Sequence, residues 1–167
     1  MRRLIYARPP AQLSRTGWWR CRRPRRECKT GGVDSGRAIS FVTLGTRDLP
    51  ALRSFYRSWG WTEREGGDDG FAQFDAGGVR LALYPLGLLR DEAAPDSELP
   101  PEDAWNGVTL AINVADREAV DTVTAAAVAA GARVVGAPVD REWGGYSGYV
   151  ADPEGCRWEI AWLPGYR

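Results

Sequence analysis

At 167 residues, 44% of them hydrophobic, the chain has enough apolar material for one packed domain and too little length for several. Its formal charge of zero hides a division: residues 1–37 carry 11 basic side chains against two acids, a charge of +9, and the remainder carries 11 basic against 20 acidic, near −9. No apolar run is long enough to span a bilayer, and no nucleophilic triad, phosphate loop or dinucleotide fingerprint is present.

The basic head, residues 1–37, lacks hydrophobic periodicity, contains Pro9, Pro10 and Pro24, and has no apolar centre like that of a secretory signal. Trp18-Trp19 beside Arg20, Arg22, Arg23, Arg25 and Arg26 is a pattern able to stack on bases while guanidinium groups meet phosphate. Such a tract buries too little surface to order itself, so the head is expected to be a disordered extension, with nucleic acid an unlikely partner. Its removal is then expected to leave folding intact. The abrupt change of composition near Val33 marks a candidate downstream start.

From Ile39 to Gly45 the residues alternate on a two-residue period, the mark of a strand. Arg47-Asp48-Leu49-Pro50 opens a helix carried by Leu52, Phe55, Tyr56 and Trp59 and stopped by Gly60. Three strand-like runs follow, near Trp61 to Glu65, Gly70 to Asp75 and Val79 to Tyr84, separated by glycine-rich turns. The order then repeats. Val108 to Val114 is a strand, Asp116 an N-cap, Ala119 to Ala130 a helix ended by Gly131, and strands fit Arg133 to Gly136, Tyr146 to Ala151 and Arg157 to Leu163. One βαβββ unit cannot cover its own sheet, so the two copies are expected to share a core.

Val42-Thr43-Leu44 followed by Arg47-Asp48-Leu49 and Phe55-Tyr56, with Asp152-Pro153-Glu154-Gly155 leading into Trp158-Glu159-Ile160, resembles the vicinal oxygen chelate superfamily of glyoxalases, bleomycin-resistance proteins and dioxygenases. The resemblance covers Ile39 to Leu163. It implies an α+β fold in which two βαβββ modules form a curved, mixed sheet with a concave ligand cavity. The expected division is the basic head at 1–37 and the domain at 38–167, with module one at 39–86, a linker at 87–106 and module two at 107–163.

Strand parity then divides the residues between two faces. Val42, Leu44, Leu81, Leu83, Val108, Leu110, Ile112, Trp158, Ile160 and Trp162 are expected to pack under the helices. The opposite parity holds Phe41, Thr43, Arg80, Ala82, Tyr84, Thr109, Ala111, Asn113, Arg157, Glu159 and Ala161 on the face where the family places its ligands. By that resemblance the four metal-ligand positions fall on Phe41, Ala82, Thr109 and Glu159. Only Glu159 has a usual ligand's chemistry, and the chain has no histidine, so neither a metal nor any other cofactor is expected.

The ligand-binding candidates are Phe41, Thr43, Arg80, Tyr84, Thr109, Asn113, Trp143, Tyr146 and Arg157, with Glu159 the candidate catalytic residue. In Trp143-Gly144-Gly145, Trp143 either stacks on a flat ligand at the rim or plugs the edge of the core. Glu159 is a general base if burial raises its pKa, or it pairs with Arg80 or Arg157 to anchor a ligand or as a structural remnant. Binding of a small amphipathic or aromatic molecule, in sequestration or resistance, is therefore expected ahead of catalysis. The enzymatic alternative is a glyoxalase-like lyase or isomerase using Glu159. Cys21 and Cys28, separated by six residues, and Cys156 form no disulfide framework and no zinc site. A cytoplasmic homodimer is the expected setting.

Overall fold

The structure, a computed structural model, describes residues 38–102 and 104–165. Strand β1 (Phe41–Thr46) leaves Phe41 and Thr43 exposed while Val42 and Leu44 turn inward. Helix α1 (Leu49–Ser58) starts where the Asp48 carboxylate accepts from the Ala51 amide at 2.9 Å, and buries Leu49, Leu52, Phe55 and Tyr56 along one stripe. The run after Gly60 pairs with the next strand only around Glu63 and Phe74. Glu63 is drawn to Arg53 and Arg57 of α1, and Gly66, at φ 91°, turns the chain away three residues later. The expected strand there is thus reduced to a bridge.

β2 (Ala72–Ala76) and β3 (Val79–Pro85) form a hairpin whose two central residues, Gly77 and Gly78, both have positive φ, the geometry that matches strand twist. The chain then enters α2 (Leu86–Ala93), inside the segment expected to be linker. This helix lies across one end of β1: a Cβ on Gly45 would come within 2.6 Å of Leu86 Cδ1. A larger residue at 45 would push α2 away.

In the second module β4 (Thr109–Asn113) precedes α3 (Arg117–Ala130), capped by the Asp116 side chain and ended by Gly131 at φ 115°. β5 (Arg133–Asp140), β6 (Tyr146–Ala151) and β7 (Arg157–Trp162) complete it. β5 runs past Gly136 by way of two register shifts against β6, and Pro138 is tolerated because β5 is an edge strand. The sheets have the orders β1-β3-β2 and β4-β7-β6-β5. In each, the first strand is parallel to the last and the other pairings are antiparallel, so the internal repeat is structural. The modules keep separate sheets: β1 and β4 are each hydrogen-bonded on one side only.

One core serves both modules. Phe55, Tyr56, Trp59, Phe74, Leu81 and Leu83 of the first belong to the same buried cluster as Val120, Ala127, Val150, Trp158 and Ile160 of the second. Trp158 meets Trp59 edge to face with centroids 5.4 Å apart and Trp61 at 5.1 Å. Polar ties cross the same junction. Tyr56 donates its hydroxyl to Asp152 Oδ2 at 2.6 Å and accepts from Trp158 Nε1 at 3.1 Å. Glu154 Oε1 accepts from Thr46 Oγ1 and from the Arg47 and Asp48 amides at 2.8 to 2.9 Å, placing a carboxylate at the start of α1. The Asp152-Pro153-Glu154-Gly155 turn is therefore a clasp between modules.

Candidate functional site

The registers fix what the sheet face opposite α1 and α3 presents. On the first sheet Phe41 lies beside Arg80 and Thr43 beside Ala82, with Asp75 and Gln73 next in each row. On the second, Thr109 lies beside Arg157, and Ala111, Glu159 and Tyr149 form one row. Trp158 and Ile160 point the other way and are buried in the core, so the expected parity of Glu159 holds.

Phe41 is 45% exposed, and the Arg80 guanidinium carbon is 5.3 Å from its ring centroid, a cation–π contact. Arg80 Nη1 also donates to Gln73 Oε1 at 3.2 Å. Thr43, Thr109 and Asn113 are exposed on the two edge strands. Tyr84 is tied down instead. Its hydroxyl donates to Glu92 Oε1 of α2 at 3.0 Å, and that bond with the carboxylate, ahead of desolvation, raises its pKa.

Arg157 donates Nη1 to the Gly155 carbonyl at 2.7 Å. Neither Arg157 nor Arg80 forms an ion pair with Glu159 among the described residues. Glu159 stands opposite Tyr149 in the β6–β7 register, and the Tyr149 hydroxyl is pushed above its ordinary pKa by burial first and by the Glu159 carboxylate second. Trp143 is 45% exposed and folds over its own loop: a Cβ on Gly145 would come within 1.7 Å of Trp143 Cζ3. It lies at the surface and does not plug the core.

Tyr146 requires a correction. It pairs with Trp162 in the β6–β7 register, on the α3 side, and donates its hydroxyl to Asp121 Oδ1 at 3.0 Å while the Arg117 guanidinium caps its ring at 4.4 Å. Among the residues of β6 on the opposite face are Ser147 and Tyr149. Sequence reasoning missed both, together with Arg141, which bonds to Ser147. Pairing β6 with β7 across the 152–155 turn is the signal that places them.

Two hollows lie between β1 and β4. The larger, about 700 Å³, is lined by Val42, Trp59, Trp61, Leu110, Ile112 and Trp158, and the second, about 450 Å³, by Leu44, Leu86, Leu89, Trp105, Val108 and Leu110 among others. Both are lined mainly by residues of the helix-facing parity, with Arg80, Ala111 and Asn113 of the opposite parity at the first and Thr43 at the second. Neither is lined by Phe41, Tyr84, Thr109, Trp143 or Glu159. The cause is the division into two sheets, which separates Phe41 and Tyr84 on one platform from Thr109 and Glu159 on the other.

A metal does not fit the residues present. Ala82 is fully buried and offers a methyl group, Phe41 offers a ring shared with Arg80, and Thr109 and Glu159 together supply too few donors. Among the described residues no group of three or more carboxylates or thiols is gathered to hold an ion.

The sequence profile of the Glyoxalase/Bleomycin resistance protein/Dioxygenase superfamily matches residues 38–160. No curated protein matches the chain. Among solved structures, a glyoxalase-related enzyme from Fulvimarina pelagi is 28% identical with a TM-score of 0.69, over 78% of this chain and 91% of that one. A glyoxalase/bleomycin resistance protein/dioxygenase from Nocardioides is 30% identical with a TM-score of 0.64, over 78% and 86%. A lactoylglutathione lyase from Agrobacterium tumefaciens, 24% identical with a TM-score of 0.59 over 79% and 99%, shares the fold. With a βαββ and a βαβββ module on one core and a profile match over most of its length, the chain belongs to the Glyoxalase/Bleomycin resistance protein/Dioxygenase superfamily.

Proposed function

We propose that the sheet face opposite α1 and α3 binds a small amphipathic or aromatic molecule without a metal, in sequestration or resistance. The observation that carries this is the exchange of chelating groups for recognition groups. Where the family's ligand set would stand, the chain has an exposed phenyl ring under a guanidinium, a buried methyl and a threonine. Rings and cations orient an amphipathic molecule through its π face and its polar end. The expectation of a reducing, cytoplasmic setting rests on cysteine usage. No described helix is long and apolar enough to cross a membrane.

Purified full-length chain tests this directly. Elemental analysis is expected to find no stoichiometric transition metal, and chelator to leave the Tm unchanged. A thermal-shift screen of aromatic and amphipathic compounds is expected to return ligands that Phe41→Ala weakens. One zinc, nickel or iron held per chain would overturn the proposal.

The Tyr149–Glu159 pair favours a second reading, a lyase or isomerase in which Glu159 is the general base. Tyr149 stands opposite Glu159 in the register, where its hydroxyl can orient the carboxylate that would take a substrate proton. Turnover that falls with Glu159→Gln and whose pH profile shifts with Tyr149→Phe would select it over simple binding.

A further inference from the structure

We propose that the molecule bound on this face carries a carboxylate and that Arg141 holds it, an inference that rests on the binding role proposed above. Arg141 follows the end of β5 and its side chain lies back along β6. Its Nε donates to Ser147 Oγ at 2.9 Å and its Nη2 to the Ser147 carbonyl at 2.9 Å, while its Cζ is 5.5 Å from the Tyr149 ring centroid. Ser147 is fully buried, so the guanidinium is anchored on a fixed part of the sheet.

A guanidinium has five N–H donors in one plane, and these two bonds occupy the edge formed by Nε and Nη2. The end edge, with one N–H from each terminal nitrogen pointing in parallel, remains. That spacing matches the two oxygens of a carboxylate. Among the described residues no carboxylate pairs with Arg141. The adjacent Asp140 is held by Arg117 at 2.6 Å. The cation is thus oriented before a ligand arrives, which lowers the entropy lost on binding.

Tyr149, whose ring carries the Arg141 guanidinium, stands directly opposite Glu159 in the β6–β7 register. Glu159 accepts hydrogen bonds, so the part of the ligand that reaches it must donate one. A small hydroxy acid suits this order of groups, with its carboxylate on the free edge of Arg141, its apolar body beside Tyr149 and its hydroxyl toward Glu159.

Mandelate, with carboxylate, hydroxyl and ring, and its neutral counterpart mandelamide are the probes, titrated into isotope-labelled full-length chain and followed by NMR. Mandelate is expected to bind at least about tenfold more tightly than mandelamide. Shifts should gather on the Arg141 Nε–H and on Ser147, Tyr149 and Glu159. Arg141→Gln should bring mandelate down to the level of mandelamide, and Arg141→Lys, which keeps the charge without the planar fork, should fall between. Equal binding of acid and amide on this face overturns the carboxylate assignment and leaves the binding role standing. Shifts elsewhere, or no binding by either probe at about 10 mM, overturn both.

Discussion

One hydroxyl joins the two modules. Tyr56 is fully buried, and removing its oxygen in Tyr56→Phe strands Asp152 Oδ2 and Trp158 Nε1, at an expected cost of ~1–3 kcal/mol in urea denaturation. Burial raises the pKa of Asp152 above its ordinary 3.8, outweighing the Tyr56 hydrogen bond that lowers it. The folded chain therefore keeps that proton longer than the unfolded chain does. Stability from this group is fully present below the unfolded pKa and is lost as pH rises through the folded one. Asp152→Asn keeps an acceptor for the Glu154 and Cys156 amides and is expected to flatten that decline when urea midpoints are compared across pH. Side chains facing the hollows behave differently from those in the core. Leu81→Ala, at 1% exposure, is expected to cost ~2–5 kcal/mol, whereas Leu110→Ala, half-buried beside both hollows, should cost less because little of its methyl surface is enclosed. A Leu110→Ala chain as unstable as the Leu81→Ala chain would show that β4 is more tightly covered than described.

At the level of elements, legibility followed the strength of local signals. α3 was plain from its alanine run, Asp116 and Gly131, and α1 from Asp48, Pro50 and the spacing of Leu52, Phe55 and Tyr56. α2 was not, because it is eight residues long, contains Gly87 and has no side-chain cap at Pro85. It exists because Leu86 and Leu89 pack over Gly45, a tertiary contact that no local pattern encodes. Gly45→Ala is accordingly expected to loosen α2 and weaken the Tyr84–Glu92 bond, with a cost of ~1–3 kcal/mol from overpacking and faster amide exchange over residues 86–93. Unchanged exchange there would mean that Leu86 moves aside freely. Strand parity was legible where it could be counted along a strand, which put Glu159 and Phe41 on the face opposite α1 and α3. It failed at Tyr146 because β6 was not registered against β7, and a shift of one residue reverses every side chain. Arg141 escaped notice because its role depends on folding back two strand positions, onto Ser147 and Tyr149.

Two of the domain's edge strands, β1 and β4, have backbone donors and acceptors unpaired on the side away from their sheet partners. Such edges invite a second strand. Val42, Leu110 and Ile112 along the same seam are only half-buried. A homodimer that covers this seam is expected, and light scattering at micromolar concentration is expected to give twice the chain mass. A lysine placed at Ile112, on the seam, should then shift the distribution toward monomer. A monomeric wild-type chain would mean that the two platforms act separately.

The clasp formed by Glu154 and the Tyr56–Asp152 bond joins residues 96 to 108 positions apart in sequence. Nearly the entire domain must therefore be synthesised before its principal polar ties can close. Until Trp158 has left the ribosome, the aromatic side of α1 has no lid, and the start of that helix lacks the carboxylate that later meets it. A long-range search is thus expected to set the pace of folding, and the newborn first half is expected to be the form most exposed to its neighbours.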